Sequence, residues 1–296
     1  VNAGNSIASG GNYNVVVGDE AGTALTTGDS NVAVGFNALK TEDGNGFNVA
    51  VGAEALETQN AGADAYNVAV GRAAGKATTT GINNTLLGGL AGAALTDADF
   101  NIAVGYGALD SDTLGSRSVA IGYNSLATQN FTTATDTYNT AVGFQAGTAV
   151  TTGTSNTLIG GLAGTAMTTG VNNVLVGALS GDVLTDADYN VAVGHQSLSS
   201  DTKGGSAVAV GYAALFSQNF TTSTDNYNTG VGYNAGGAVT TGINNTLIGG
   251  GAGDALTDAD FNVALGVSSL TSDTLGSRST AIGTNALFSQ NFTTAT

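Results

Sequence analysis

The chain has 296 residues, a formal net charge of −16 and only six lysines and arginines. Nucleic acids and anionic lipids both bind basic surfaces, so this charge balance argues against either of them as a partner. Low charged content with 42% hydrophobic residues also excludes a disordered chain.

A five-residue phrase, typified by Asn190-Val191-Ala192-Val193-Gly194, recurs along the whole chain. Successive phrases are 17 residues apart nearly everywhere; the step is 19 after Gly52 and 21 after Gly122 and Gly211. A period this short cannot hold two packed helices, but it suits one coil of a β-solenoid. The glycines that close the phrase are Gly18, Gly35, Gly52, Gly71, Gly88, Gly105, Gly122, Gly143, Gly160, Gly177, Gly194, Gly211, Gly232, Gly249, Gly266 and Gly283. The sequence therefore predicts an all-β protein, a parallel β-solenoid (β-roll) of about 17-residue coils.

Domain organisation follows from the repeat. We expect residues 1–296 to form a single continuous solenoid array, cut from a longer chain, because the sequence stops within a coil. The 46 glycines and the complete lack of proline agree with this expectation. Proline has no N–H to donate, so a chain paired with neighbours on both sides excludes it.

Positions within a coil are numbered here from the closing glycine, which is position 0. Positions −3 and −1 are aliphatic or Thr, an alternation that predicts a strand with these two columns lining the coil interior. Position +3 is Ala or Ser in every coil, which predicts a narrow second sheet facing the first. Position −4 is Asn in thirteen coils, and stacked side-chain amides predict a structural ladder of hydrogen bonds. Members of this ladder are Asn48, Asn101, Asn139, Asn190 and Asn262.

A trade in side-chain volume suggests a chain–chain interface. Where position −2 is Leu, position +1 is small, and where position −2 is Ala or Gly, position +1 is often aromatic. If both columns point outward, this trade indicates a shared packed space against another copy of the chain. The alternative is that two repeat subtypes are each inherited whole. The interface candidates are Leu86, Leu158, Leu175, Leu247, Tyr106, Tyr123, Phe144, Tyr212 and Tyr233.

The longer coils add loops that break the regular repeat. Aromatic residues in such loops could stack on a sugar ring or contact a receptor, or they could fold back over their own coil. The candidate receptor-contact residues are Asn130, Phe131, Asn219, Phe220, Asn291 and Phe292.

Catalytic and cofactor-binding residues are not recognisable. The only histidine, His195, is at a surface position of a repeat, and no nucleophile, base and orienting group can be assembled around it. Calcium is a weaker hypothesis, since Asp97, Asp99 and Asp112 follow one another in adjacent coils and calcium prefers oxygen ligands.

Two stretches carry a resemblance to known fibrous proteins. Ser118-Val119-Ala120-Ile121-Gly122-Tyr123-Asn124-Ser125-Leu126-Ala127 resembles the head repeats of trimeric autotransporter adhesins. Residues 139–147 (NTAVGFQAG) and 156–164 (NTLIGGLAG) are similar to shaft repeats of bacteriophage tail fibres. The resemblance implies a left-handed roll, three copies side by side, an extracellular place on a virion or cell surface, and a role in attachment to a host glycan or receptor.

Three interpretations follow. The first is a rigid homotrimeric fibre or adhesin segment that supports or mediates attachment to a host cell. The second is an extracellular filament or matrix protein whose coil ends stack on one another. The third, a solenoid enzyme such as a polysaccharide lyase, would need a cluster of acids and bases that the columns lack. No apolar run is long enough to insert into a membrane.

Overall fold

The computed structural model describes residues 2–295. The chain forms two compact units, Val1–Thr152 and Gly153–Thr296, each with eight three-residue strands. Within each unit every such strand pairs in parallel with that of the next coil, as Val191–Val193 does with Val208–Val210. The fold class predicted from the sequence is confirmed, because both units are parallel β-solenoids with coils of about 17 residues.

Strand bounds show how regular the coils are. The strands of the first unit are β1 (Val15–Val17), β2 (Val32–Val34), β3 (Val49–Val51), β4 (Val68–Val70), β5 (Thr85–Leu87), β6 (Ile102–Val104), β7 (Gly115–Ser116), β8 (Val119–Ile121), β9 (Thr135–Asp136) and β10 (Thr140–Val142). Those of the second unit are β11 (Thr157–Ile159), β12 (Val174–Val176), β13 (Val191–Val193), β14 (Gly204–Gly205), β15 (Val208–Val210), β16 (Thr224–Asp225), β17 (Thr229–Val231), β18 (Thr246–Ile248), β19 (Val263–Leu265) and β20 (Thr280–Ile282). The two-residue strands pair apart from the main ladder, β7 with β9 and β14 with β16. Nowhere in residues 2–295 is there a helix that is long and apolar enough to cross a membrane.

The inward and outward sides of the strands are the reverse of the sequence prediction. The middle residue of the strand, position −2, points into the coil, whereas positions −3 and −1 are partly or largely exposed. Asparagine at position −4 is buried, and side chains alternate along a strand, so position −2 must share its inward direction. Four predicted interface residues are consequently misplaced and fill the interior of their own coils with no exposed surface: Leu86, Leu158, Leu175 and Leu247.

The far side of the coil is not the predicted second sheet. Residues after the closing glycine form a series of turns, in which positions +2 and +4 adopt left-handed backbone conformations. Asn124 and Leu126 illustrate this alternation, with φ of 52° and 48°. A residue with positive φ breaks the extended geometry of a strand, so the small residue at +3 lies buried in a turn. Its size still matters, because Ala at this position has no exposed surface in coils such as that of Ala91.

The closing glycine is required on two grounds. At Gly88 the backbone has φ of 138°, a conformation that other residues rarely adopt. A Cβ at this position would also lie only 2.5 Å from the carbonyl oxygen of Gly105 in the next coil. The stacking of one coil on the next therefore depends on this column of glycines.

Two kinds of coil fill the interior in different ways. Leucine-centred coils have Leu at −2, Gly at +4 and an apolar residue at +7; their +4 and +7 residues are Gly92 and Leu95, Gly164 and Met167, Gly181 and Leu184, and Gly253 and Leu256. Alanine-centred coils have Ala at −2, Leu at +4 and a polar residue at +7; their +4 and +7 residues include Leu39 and Glu42, Leu56 and Gln59, Leu109 and Asp112, Leu126 and Gln129, Leu198 and Asp201, and Leu215 and Gln218. Position −2 lies inside the coil and position +1 outside, so the two columns of the predicted volume trade share no space. In these two kinds of coil a leucine alternates between −2 and +4, whereas the coils of Gly71, Gly143 and Gly232 have Ala or Gly at both positions.

Asparagine at −4 links neighbouring coils through the interior. The side-chain Oδ1 of Asn190 accepts a hydrogen bond from the backbone N–H of Ala207 at 2.9 Å, and its Nδ2 donates to the carbonyl of Gly204 at 2.9 Å. Asn101 makes the same pair of bonds with Ser118 N–H and the Gly115 carbonyl. The predicted ladder residues lie at these buried positions, with partners that are mostly backbone groups of the next coil. Among them, Oδ1 of Asn48 accepts from Asn67, Nδ2 of Asn139 donates to Gln129, and Oδ1 of Asn262 accepts from Ser279.

Candidate protein interaction face

The outward side of the strand ladder is made of positions −3 and −1. All residues in these two columns are Val, Ile, Leu or Thr, and none of them is buried in either unit. Ile159 and Leu265 are exposed by 38% and 45%. A strand face that meets water normally carries charged and strongly polar side chains. These columns have no charged residue, and threonine is their only polar one.

Two further columns, −5 and +1, border this strip and also point outward. They are rich in aromatic residues, and the rings of consecutive coils stack on one another. In the first unit, Tyr123 stacks on Tyr106 and on Phe144 with centroid distances of 5.9 and 5.5 Å. In the second, His195, Tyr212 and Tyr233 form a corresponding ladder. Columns −5, −3, −1 and +1 are together called the apolar face below.

Charge is distributed very unevenly around the coil. Of the 22 acidic residues, only Asp19 lies in the four columns of the apolar face, whereas all three arginines, Arg72, Arg117 and Arg278, lie there. Arg117 packs over the ring of Phe100 at 5.3 Å and pairs with Asp136. Arg278 packs over Phe261 at 5.4 Å. Enrichment in aromatic residues and arginine, with depletion of acids and lysine, is the composition of protein–protein interfaces.

Most of the exposed apolar surface is gathered on this face. Of 30 large hydrophobic side chains that are exposed among the described residues, 26 belong to its four columns. Monomeric soluble proteins rarely expose a contiguous apolar patch beyond a few hundred Å². The structure therefore presents one candidate interaction face in each unit.

The predicted interface residues divide between the two sides of the coil. The aromatic candidates Tyr106, Tyr123, Phe144, Tyr212 and Tyr233 lie at +1 of the apolar face, with exposed rings. The four leucines lie inside, as described above. The aliphatic residues at −3 and −1 were assigned to the interior and so were missed, although their lack of charge was visible in the sequence.

Two of the three aromatic rings in the predicted receptor-contact loops fold back over their own coil, which is the second of the two alternatives for these loops. Phe131 and Phe220 are each only 7% exposed, so these rings fold back against the coil and cannot stack on a ligand. Phe292 is 44% exposed in the last coil. The three asparagines of these loops remain at the surface, where the Oδ1 atoms of Asn130, Asn219 and Asn291 accept hydrogen bonds from threonines of the preceding coil.

A buried carboxylate organises each long loop. Oδ1 of Asp201 accepts from the backbone N–H groups of Gly204 and Phe220 at 2.9 and 3.0 Å, and its Oδ2 accepts from Gln218 at 2.6 Å. Asp112 and Asp273 make the same three bonds in their own coils. This arrangement was not predicted, although the recurrence of Asp and then Gln at +7 of successive coils was a readable signal.

These bonds also bear on the calcium hypothesis. Asp112 lies inside the coil, whereas the carboxylate of Asp97 accepts from the Thr80 hydroxyl and that of Asp99 from the Ile82 N–H. In the part of the chain that the structure describes, no three acidic or histidine side chains converge to hold a metal ion. The three aspartates are not brought together as ligands.

One coil of the first unit departs from the Asp–Gln arrangement. Glu42 takes the place of Asp, and its Oε1 accepts from the N–H and the side chain of Asn45, while its Oε2 has no hydrogen-bond partner. Nε2 of Gln59 and Oγ1 of Thr78, at +7 of the next two coils, also lack partners. Burial raises the pKa of Glu42, and the hydrogen bonds from Asn45 oppose this shift only in part.

The comparison with known proteins identifies no relative of this chain. No protein-family model matches the sequence, and no curated protein matches it significantly.

Proposed function

We propose that this chain is a structural segment of an extracellular fibre. In this proposal several copies, most simply three, pack through their apolar faces, and the assembly supports attachment to a host cell surface. The role is mechanical and not catalytic. The observation that carries the proposal is the concentration of exposed aliphatic and aromatic side chains on one face of each solenoid unit.

The architecture supports a load-bearing role. Successive coils are joined by strand pairing, by the asparagine ladder and by the close stacking of glycines, so each coil is held by its neighbours. Such quasi-one-dimensional arrays gain stiffness and length by adding repeats. An acidic surface outside the apolar face keeps the assembled fibre soluble, because like charges oppose further association.

The non-catalytic role is supported by the environment of His195. Its ring stacks on Tyr212 at 5.6 Å in the aromatic ladder, where it serves packing. The extracellular place is proposed from the resemblance to fibre shafts and adhesin heads. Attachment rests on the same resemblance and on the exposed polar residues of the long loops.

Native mass spectrometry tests the assembly directly. The unmodified chain is compared with a variant that carries Val191→Lys and Val208→Lys, two changes at position −3 of the apolar face. The control carries Thr169→Lys and Thr221→Lys, which add the same charge at exposed positions away from this face. We expect trimers for the unmodified chain and the control, and monomers for the face variant.

Two results would contradict the proposal. One is a monomeric unmodified chain, and the other is an assembly that survives both lysines in the apolar face. Circular dichroism of each variant verifies that the solenoid is still folded. Attachment has a separate test, a glycan array probed with the labelled trimer, in which we expect binding that is reduced by Asn219→Ala.

A further inference from the structure

The glycines at +1 of the apolar face differ from the other glycines of the coil. At Gly161 and Gly250 the φ angle lies outside the left-handed region, and an added Cβ would meet no atom within 4 Å. At Gly89 it would reach Tyr106 at 3.4 Å, an ordinary van der Waals distance. Glycine loses more conformational entropy on folding than any other residue, so its presence needs a reason. Nothing within the chain supplies one.

Other coils show that position +1 accepts large side chains. Tyr212 and Tyr233 occupy it in the second unit with exposed rings. At the glycine coils the opposite border is also short and polar, with Asn83, Ser155 and Asn244 at −5. At these coils the border side chains of the apolar face are therefore short on both sides. At the coils with aromatic ladders, rings project from the border. The aliphatic side chains at positions −3 and −1 remain exposed at the glycine coils, as the 38% exposure of Ile159 shows.

The extent of the face matches what a stable interface requires. Eight coils at about 4.8 Å each and a width of about 20 Å give roughly 760 Å² for one unit. A standard interface buries about 800 Å² on each partner. The partner must also fit side chains that repeat at every coil, a spacing that another solenoid with the same rise matches along its whole length.

Charge makes a second copy an acceptable partner. A chain with a net charge of −16 would repel its copy if the acids lay at the contact, yet only one of them is on this face. Two of the three arginines on its borders, Arg117 and Arg278, lie over aromatic rings, and a guanidinium stacked on a ring is a common element of protein interfaces.

We propose that neighbouring copies of this chain cover the apolar face coil for coil, and that their backbones approach it most closely at the glycine coils of Gly89, Gly161 and Gly250. The inference rests on the proposed function, to which it adds the coil-for-coil register of the copies and the residues of tightest contact. A ring at these glycines holds the copies apart, although the isolated coil accommodates it.

The test introduces Gly161→Tyr and Gly250→Tyr together, copying the residue of neighbouring coils. Thr169→Tyr is the control, since it adds the same ring at an exposed position off the face. Sedimentation equilibrium over a concentration series measures self-association, and the thermal midpoint reports folding. We expect the glycine variant to self-associate at least tenfold more weakly, whereas the control associates like the unmodified chain.

Unchanged association of a folded glycine variant would overturn this inference and leave the proposed fibre intact. A monomeric unmodified chain would overturn both. If the tyrosines prevent folding, Gly161→Cys and Thr169→Cys answer the same question in a chain that otherwise lacks cysteine. We expect the thiol at 161 to react with a maleimide at least tenfold more slowly than that at 169 in the native assembly, and equally fast in denaturant; equal native rates would contradict close approach.

Discussion

Leu86 and Gly92 share one space inside their coil. A Cβ built on Gly92 would lie 2.8 Å from Cδ2 of Leu86 and 2.7 Å from Cδ1 of Leu95. In the next coil, Ala103 replaces the leucine at −2 and Leu109 replaces the glycine at +4. In these two coils the interior is thus filled by one leucine at either of two positions, and a well-packed core has no room for both.

This relationship predicts strong coupling between the two residues. Leu86→Ala should lower the free energy of unfolding by about 2 to 5 kcal/mol through an empty cavity. Gly92→Ala should lower it by about 2 to 5 kcal/mol, of which about 1 to 3 kcal/mol comes from overpacking and about 1 to 2 kcal/mol from its left-handed backbone, with φ of 56°. The double variant should lose less than the sum, by about 0.5 to 3 kcal/mol, because the cavity receives the added methyl. Urea denaturation of the four proteins measures the cycle.

A matched control separates steric overlap from backbone strain. Gly62 also has a positive φ, of 70°, but an added Cβ there would meet no atom within 4 Å. Gly62→Ala should therefore cost only the left-handed backbone, about 1 to 2 kcal/mol. Strict additivity at Leu86 and Gly92 would show that the two side-chain positions do not compete.

The asparagine ladder predicts a large effect from one buried amide. Asn190→Ala removes the acceptor of the Ala207 N–H and the donor to the Gly204 carbonyl. Each backbone group left buried without a partner costs about 1 to 3 kcal/mol, so the chain should lose about 2 to 6 kcal/mol of stability. Thermal denaturation compares this variant with Thr169→Ala, an exposed change expected to be neutral. Equal stability of the two variants would argue against the ladder.

The buried Asp201 predicts a local effect on its loop. Asp201→Ala leaves the N–H groups of Gly204 and Phe220 and the amide of Gln218 without their acceptor. Residues 219–226 should then exchange amide hydrogens at least tenfold faster, while the strands of neighbouring coils keep their protection. Hydrogen–deuterium exchange with mass spectrometry resolves the two regions. Uniform acceleration across the coils would show that the carboxylate holds more than the loop.

Because Glu42 is buried, we expect its contribution to the free energy of unfolding to fall as the pH rises. Burial raises its pKa above the ordinary value of 4.5, so the folded chain holds this proton more tightly than the unfolded chain. The contribution is fully present below pH 4.5 and is lost as the pH rises through the elevated folded-state pKa.

Replacing this carboxyl by an amide removes the dependence. Glu42→Gln should be more stable than the unmodified chain at neutral pH by about 1 to 3 kcal/mol, since no buried charge remains. The difference should disappear below pH 4.5. Thermal midpoints from pH 3 to pH 8 test this, and an advantage that is constant over the range would exclude titration of Glu42 as its cause.

The repeat made the architecture predictable, whereas the direction of each side chain was harder to derive. Both Val191 and Ala192 suit a strand, and hydrophobicity alone favoured the larger residue as the inner one. Burial of Asn190 decides the matter, because alternation then turns Ala192 inward and Val191 outward. The sequence contained this clue, but it required the ladder and the strand to be considered together.

Other features depend on the three-dimensional coil. The turns that replace a second sheet rest on positive φ at residues such as Leu126, which composition does not reveal. The burial of Phe131 depends on the carboxylate of Asp112, which lies 19 residues earlier and accepts the Phe131 N–H. Contacts between successive coils thus decide the loop conformations, and a reading of single columns could not anticipate them.

The solution mass of the unmodified chain tests the central claim most directly. Multi-angle light scattering at low micromolar concentration should give about 86 kDa, three times the chain mass of 28.8 kDa. That result would show that copies associate into the closed assembly of three that the proposed function expects. A stable mass of 28.8 kDa would contradict the account, because the apolar face would then remain exposed to water. Mass that grows without limit as concentration rises would contradict a closed assembly and favour an open filament.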